Sequence, residues 1–88
     1  MLLTIIPMSN FPKVKELLTG FKHDDWEKMS DFGKESTIDS MAILMEPTQG
    51  KFSQWFIERV FNNNGGWLPD HPLVTGVIAK LREWRHLT

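Results

Sequence analysis

The stretch that decides the fold is residues 52–87, in which two amphipathic helical patterns flank a joint rich in Asn, Gly and Pro. On both sides of the joint, apolar residues recur at the three- and four-residue spacing of one helical face. They are Phe52, Trp55, Phe56 and Val60 before the joint, and Leu73, Val74, Val77, Ile78, Leu81 and Trp84 after it. The pattern predicts a helical hairpin that forms much of the core.

The joint reads Asn62-Asn63-Asn64-Gly65-Gly66-Trp67-Leu68-Pro69-Asp70-His71-Pro72. Gly65 or Gly66 can adopt the left-handed conformation that ends a helix. Asp70 or His71 can cap the next helix, with Pro72 at its first position, where a missing N–H group costs nothing. One helix is therefore expected to end within this joint, and another to begin there.

The chain before this hairpin predicts a helix that begins after Ser9 or Asn10, either of which can cap it. Pro12 is tolerated in the first turn of a helix, and Gly20 is expected at the end of this one. The side chains expected to be buried are Phe11, Val14, Leu17, Leu18 and Phe21.

A second, short helix is expected to begin at the N-cap Asp24 and to end before Gly33. Its inward-facing side chains are expected to be Trp26, Met29 and Phe32. The group His23, Asp24, Asp25 and Glu27 has ligand-type side chains, but the spacing is fully explained by a capped helix start, where the dipole favours negative charge. We therefore predict no metal site there.

A third helix is expected to begin at Ser36, which forms a capping-box pattern with Asp39. Its apolar side would consist of Ile38, Met41, Ala42, Leu44 and Met45. Pro47 would end it, because a residue before proline is biased away from helical geometry. A strand over residues 40–45 is the alternative.

Residues 1–7 begin with an apolar run that ends at Pro7. The run is too short to span a membrane and lacks the basic start and cleavage site of a signal peptide. We expect it to form either an extended arm packed on the helices or a short strand. The sequence thus predicts one mainly α domain, residues 1–88, of four to five short helices, located in the cytoplasm or in a host's cytoplasm.

Composition excludes several classes of function. The chain has no cysteine, so disulfides and thiolate metal sites are excluded. Ten basic and eleven acidic residues give a net charge of −1, without the basic surplus typical of nucleic-acid-binding proteins. His71 and His86 lie at no spacing that suggests a catalytic triad. We therefore predict a protein without catalytic residues, metal or cofactor.

The four Trp and six Phe residues are the most informative count, because large aromatics are enriched at binding hot spots. The Asn/Gly joint is either a helix-ending turn or an adaptable loop that displays Trp67 and Leu68 to a partner. The candidate partner-binding residues are Trp67, Leu68, Trp55, Trp84, Asn63 and Asn64.

The end of the last helix carries a basic patch of Lys80, Arg82 and Arg85, with Trp84 between them. Positive charge at a helix C-terminus complements the helix dipole, which is the simpler explanation. The alternative is a small footprint for nucleic acid, whose binding would weaken steeply with salt.

Two fragments resemble acyl and peptidyl carrier proteins. Asp39-Ser40-Met41 is similar to the Asp-Ser-Leu attachment site of that family, which follows a helix and a long loop, and His71-Pro72-Leu73-Val74 is similar to its closing segment. The resemblance implies that Ser40 carries a 4′-phosphopantetheine arm. Outside these fragments the chain departs from the family, because Pro47 and Gly50 interrupt the helix expected after the serine, and the spacing from Ser40 to Pro72 is longer.

The sequence thus favours a small non-enzymatic module of inhibitor or adaptor type, of the kind that mobile elements and phages often encode. It would act by occupying another protein's surface through exposed aromatic side chains. Self-association through the apolar N-terminal run or a helix face is an open alternative, because a second copy of the chain and a different protein would each cover surplus apolar surface.

Overall fold

Five helices make up the fold in a computed structural model that describes residues 11–46 and 51–87. They are α1 (Phe11–Gly20), α2 (His23–Glu27), α3 (Asp31–Met45), α4 (Gln54–Asn63) and α5 (Pro72–Glu83). The described residues form no strand, only an isolated parallel bridge between Phe52 and Leu87. The prediction of a mainly α protein is confirmed, whereas the arm or strand expected over residues 1–7 lies outside the described residues.

Helix α5 contributes more buried side chains than any other helix in the described residues. It contacts α3 most extensively and α4 as well, and α1 packs against both α3 and α4. The buried face of α5 consists of Leu73, Val74, Val77, Ile78 and Leu81, as its spacing predicts. Residues 52–87 supply eleven of the eighteen buried apolar side chains in the described residues. Residues 52–87 therefore supply much of the described core. Helix α5 nevertheless contacts α3 more extensively than it contacts α4.

A close approach between α3 and α5 explains the glycine in the middle of α5. A Cβ atom built on Gly76 would lie 2.6 Å from Cδ1 of Ile38, well inside van der Waals contact. Glycine in a helix interior is less favourable than alanine by about 1 kcal/mol. The close packing against Ile38 explains why glycine occupies this position despite that cost.

The boundary between α2 and α3 differs from the prediction. The Ser30 hydroxyl accepts a hydrogen bond from the Gly33 N–H group at 3.1 Å and caps α3 there. Because this cap lies six residues before Ser36, the expected capping box at Ser36 is wrong. Gly33 lies inside α3 rather than after α2, and Phe32 is 84% exposed instead of facing inward.

Helix α2 also begins differently. Lys22 occupies its N-cap position, and its N–H group donates to the Asp25 carboxylate at 3.0 Å, so Asp24 is not the cap. Asp24 instead lies in the first turn of the helix. Trp26 is buried as expected, and Met29 is partly buried after the helix.

Helix α4 is capped by Ser53, whose hydroxyl accepts from the Phe56 N–H group at 3.1 Å. Its buried side chains are Ile57, Val60 and Phe61. Of the predicted face, Phe52 and Val60 are buried and Phe56 packs against the core, whereas Trp55 is 64% exposed, so only its place on that face is wrong. After Asn63 the chain passes through two glycines with positive φ, 128° at Gly65 and 71° at Gly66, which confirms the predicted helix end.

The C-terminal end of α5 closes with a Schellman motif. The Arg85 N–H group donates to the Arg82 carbonyl at 3.0 Å, and the His86 N–H group donates to the Leu81 carbonyl at 2.7 Å. Arg85 occupies the left-handed position with φ 66°, where glycine is usual. This turn brings His86 beside Phe52, whose N–H group donates to the His86 carbonyl at 2.7 Å.

Candidate protein-interaction surface

The Asn/Gly joint does not display Trp67. Its side chain is 0% exposed and belongs to the largest fully buried side chains of the core. The prediction that Trp67 is an exposed anchor is therefore wrong, and the glycines provide the physical reason. With positive φ at both, the chain turns back after α4 and directs the indole into the core.

Trp67 is surrounded by aromatic rings from α2, the segment before α2, and the start of α5. His23 stacks on the indole with ring centroids 4.0 Å apart and planes 17° apart, and Phe21 stacks at 5.4 Å and 19°. His71 meets the indole edge-on at 4.7 Å and 80°. The joint thus connects the end of α4 to the aromatic cluster that Trp67 forms with Phe21, His23 and His71. Trp67 therefore has a structural role.

His71 has a second task at the start of α5. Its Nδ1 accepts a hydrogen bond from the Leu73 N–H group at 3.0 Å, so of the two predicted caps, Asp70 and His71, the helix uses His71. An acceptor at Nδ1 requires a neutral ring that carries its proton on Nε2. Burial, followed by the nearby His23, lowers the pKa of His71 and favours this neutral form.

The other ligand-type side chains do not converge. In the two described ranges, no group of three or more His, Cys, Asp and Glu side chains is placed to hold a metal ion. Asp24, Asp25 and Glu27 are exposed on α2. His86 is paired instead with Glu46, its Nε2 lying 3.0 Å from the carboxylate.

The basic patch is largely engaged within the protein. Lys80 lies 3.2 Å from the Asp39 carboxylate, and this contact raises the pKa of Lys80. Arg82 donates a hydrogen bond to the Gln54 side-chain oxygen. Arg85 is exposed, and Trp84 is partly buried against the core. Of the three cations, Arg85 is therefore the one with no ion pair or side-chain hydrogen bond in the part of the chain that the structure describes.

Ser40 is exposed and is the tenth residue of the fifteen-residue α3. The carrier-protein resemblance implies a serine that follows a long loop. Here only residues 28–30 separate α2 from α3, and the serine lies well inside the helix. The structure thus places Ser40 differently from the attachment site of that family.

Five large apolar side chains are exposed in the described residues: Leu17, Phe32, Ile43, Trp55 and Leu68. Trp55 and Leu68 belong to the predicted partner-binding set, and are 64% and 59% exposed. Sequence reasoning missed Phe32 and Ile43. Their spacing of eleven residues, three helical turns, would have revealed them as one face opposite Ile38, Met41 and Met45.

We define the α4 outer face as Trp55, Arg59, Asn62 and Asn63, which are all exposed. These residues lie on the side of the helix away from Ile57, Val60 and Phe61. The Arg59 guanidinium lies 5.1 Å from the centroid of the Trp55 ring, within the range of a cation–π contact. Of the predicted set, Trp55 and Asn63 lie on this face, Asn64 is partly buried with its amide donating to the Val60 carbonyl, and Leu68 follows in the joint.

We define the α3 outer face as Phe32, Ser36, Ser40 and Ile43, all of which are exposed. Phe32 and Ile43 lie about 16 Å apart along the helix axis. The buried side chains of α3 are on the opposite side. This second face therefore consists of two apolar side chains, Phe32 and Ile43, with Ser36 and Ser40 between them.

Comparison with known proteins gives no relative: the chain matches no protein-family model, no curated protein and no solved structure. Among the helices of residues 11–46 and 51–87, none combines the length and apolar character needed to cross a membrane.

Proposed function

We propose that this protein is a small non-enzymatic module that binds another protein, with the α4 outer face as its principal contact surface. The observation that carries the proposal is the exposure of Trp55 together with its contact to Arg59. Tryptophan and arginine are the residue types most enriched among interface hot spots. An inhibitor or adaptor uses such a surface to occupy part of its partner.

The core of the protein is complete without these side chains. Within the described residues eighteen apolar side chains are buried, among them Trp67, Phe61 and Trp26, whereas Trp55 is 64% exposed. Holding a large aromatic ring in water has no stabilising effect on the fold. Contact with a partner would remove this surface from water, which favours the binding interpretation.

The side chains that could support catalysis have structural roles, which favours the non-enzymatic part of the proposal. His71 caps α5 and contacts Trp67, while His86 pairs with Glu46. Neither histidine approaches a serine hydroxyl in the hydrogen bonds of the described residues. We also place the protein in the cytoplasm, or in a host's cytoplasm, as part of this proposal.

The α3 outer face is the second contact surface that we propose. Among the residues that the structure describes, Phe32 is the most exposed large apolar side chain, and Ile43 continues the same face three turns later. Two separate faces on α3 and α4 suit an adaptor, which contacts two surfaces. A second copy of the chain is the other occupant to be tested.

The test is native mass spectrometry of the protein isolated from its own host's lysate, compared for the wild type and for three variants. Trp55→Ala and Phe32→Ala remove the two contacts, and Lys15→Ala changes an exposed polar residue of α1 as a matched control. We expect a stoichiometric complex with the wild type and the control. Affinity for the identified partner should fall about 30-fold or more in Trp55→Ala, the effect of a hot-spot residue.

A complex that survives both Trp55→Ala and Phe32→Ala unchanged would remove these faces from the proposal. A monomer without any companion would count against the binding function itself. A homodimer that is lost in either variant would identify the partner as a second copy of this chain.

A further inference from the structure

We propose that the α4 outer face recognises an acidic protein segment in which a carboxylate lies beside an apolar side chain. The carboxylate would bind the Arg59 guanidinium, and the apolar side chain would pack on the Trp55 ring. This inference rests on the proposed binding function and specifies the chemistry of the partner.

The charge of Arg59 is not neutralised within the described residues. The ion pair found there joins Lys80 to Asp39, and the Glu46 carboxylate lies against His86 rather than Arg59. The neighbouring carboxylate on α4, that of Glu58, accepts instead a hydrogen bond from the Gln54 amide at 3.0 Å. Arg59 is thus an exposed cation that has no ion pair and donates no side-chain hydrogen bond within residues 11–46 and 51–87.

The contact with Trp55 prepares Arg59 for this role. A guanidinium placed over an aromatic ring uses its face for the cation–π contact, while its N–H groups, which lie in its plane, remain free for a carboxylate. Such a pair can bind a carboxylate through two parallel hydrogen bonds. The ring also restricts the long arginine side chain before binding, which reduces the entropy lost when the complex forms.

The partner chemistry follows from charge. An isolated arginine beside a tryptophan complements a single carboxylate with an adjacent apolar group. A nucleic acid would need a row of cations along its phosphates, whereas the rest of the α4 outer face consists of the neutral Asn62 and Asn63. The whole chain moreover has a net charge of −1. An acidic peptide segment is therefore the occupant that this surface fits.

The test is selection of a phage-displayed library of random twelve-residue peptides on the wild-type protein. Peptides that bind the Trp55→Ala variant equally well are removed. We expect the remaining peptides to be enriched in Asp or Glu next to a large apolar residue. The best peptide, made synthetically, is then titrated against Arg59→Gln, Arg59→Lys, Trp55→Ala and Phe32→Ala, each first shown to be folded by circular dichroism.

We expect affinity to fall about 10-fold or more in Arg59→Gln and in Trp55→Ala, and to change less than about twofold in Phe32→Ala. Arg59→Lys should lie between the wild type and Arg59→Gln, because lysine keeps the charge but loses the planar pair of donors. Neutral amide versions of the peptide's acidic residues should bind the wild type as weakly as the original peptide binds Arg59→Gln.

The outcomes separate this inference from the function on which it rests. A peptide that depends on Trp55 but not on Arg59 would overturn acidic recognition and leave the binding surface in place. If the peptides recovered without the Trp55→Ala subtraction depend on Phe32 alone, the assignment to α4 is overturned and a binding function remains for α3. If no peptide is enriched over the Trp55→Ala pool, both the inference and the α4 binding surface are overturned.

Discussion

The imidazole ring of His71 lies edge-on to the indole of Trp67, with centroids 4.7 Å apart, while its Nδ1 accepts the Leu73 N–H group. One side chain thus joins the joint after α4 to the first turn of α5. This relationship explains why the joint contains two glycines with positive φ. It has to turn sharply enough to bury Trp67 and still deliver a capping residue to the next helix.

The first prediction concerns pH. Because burial and His23 lower the pKa of His71 below the ordinary value of 6.5, the unfolded chain binds this proton more readily than the folded protein. The contribution of neutral His71 to the free energy of unfolding is complete above pH 6.5. It is lost as the pH falls from there through the lowered pKa of the folded state. Urea unfolding measured at several pH values should show this loss.

The His71→Asn variant is the matched control, since asparagine also caps a helix but does not titrate. Its free energy of unfolding should depend less on pH below 6.5 than that of the wild type. Glu27 and Asp70 act on His71 in the opposite direction, and Lys34 acts in the same direction as His23. An identical pH dependence in both proteins would contradict the role given to His71.

The second prediction concerns Gly65, where φ is 128° and an added Cβ atom would lie 2.6 Å from Nε1 of Trp67. Gly65→Ala should reduce the free energy of unfolding by about 2 kcal/mol or more, from backbone strain and the clash together. At Gly66, φ is 71° and no atom lies within 4 Å of an added Cβ. Gly66→Ala should therefore cost only about 1–2 kcal/mol. Equal effects in urea unfolding would rule out the clash with Trp67.

The third prediction concerns Arg85, which has φ 66° at the end of α5. Arg85→Gly should raise the free energy of unfolding by about 0.5–1 kcal/mol, because glycine adopts this conformation without steric cost. Arg85→Ala serves as the control, since it removes the same charge but keeps a Cβ atom. If alanine stabilises the protein as much as glycine does, the charge of Arg85 and not its conformation is responsible.

The fourth prediction concerns the contact of Gly76 with Ile38. Gly76→Ala should destabilise the protein by about 1–2 kcal/mol through overpacking, despite the better helix propensity of alanine. Ile38→Val removes Cδ1, the atom nearest to the added methyl group. In the double variant the two effects should therefore be less than additive, with a coupling of about 0.5 kcal/mol or more. If the two effects are additive, the added methyl group is not strained against Ile38, which would contradict the prediction.

The fifth prediction separates the two tryptophans. Trp67→Ala should reduce the free energy of unfolding by about 3–5 kcal/mol or prevent folding, because it opens a large cavity in the core. Trp55→Ala should change it by less than about 1 kcal/mol, as is usual for an exposed position. Trp67→Phe provides a folded variant for comparison. A large loss of stability in Trp55→Ala would mean that Trp55 supports the fold, which would weaken its assignment as a contact residue.

Local patterns predicted the helices at both ends of the described chain. The spacing of Leu73, Val74, Val77 and Leu81 identified the buried face of α5, and the sequence His71-Pro72 identified its start. These features depend on interactions within a few residues, namely a cap, a fixed proline φ and one apolar stripe. Sequence alone was sufficient for them.

The start of α3 and the exposure of the aromatic side chains could not be predicted from the sequence, because more than one residue was suitable for each role. Ser30 and Ser36 are both acceptable caps, and only the packing of the whole helix shows that Ser30 is used. Trp55 and Trp67 are likewise the same residue type in neighbouring segments. Which one is buried depends on the surfaces that the other helices offer.

The sequence by itself determined the helical class, the end of α4 at the glycines and the start of α5, because each follows from local backbone and capping preferences. The tertiary structure alone decided that Trp67 is enclosed by His23 and His71 while Trp55 remains outside with Arg59. Which of these two tryptophans is buried depends on packing between surfaces far apart in the chain, and their local patterns do not distinguish them.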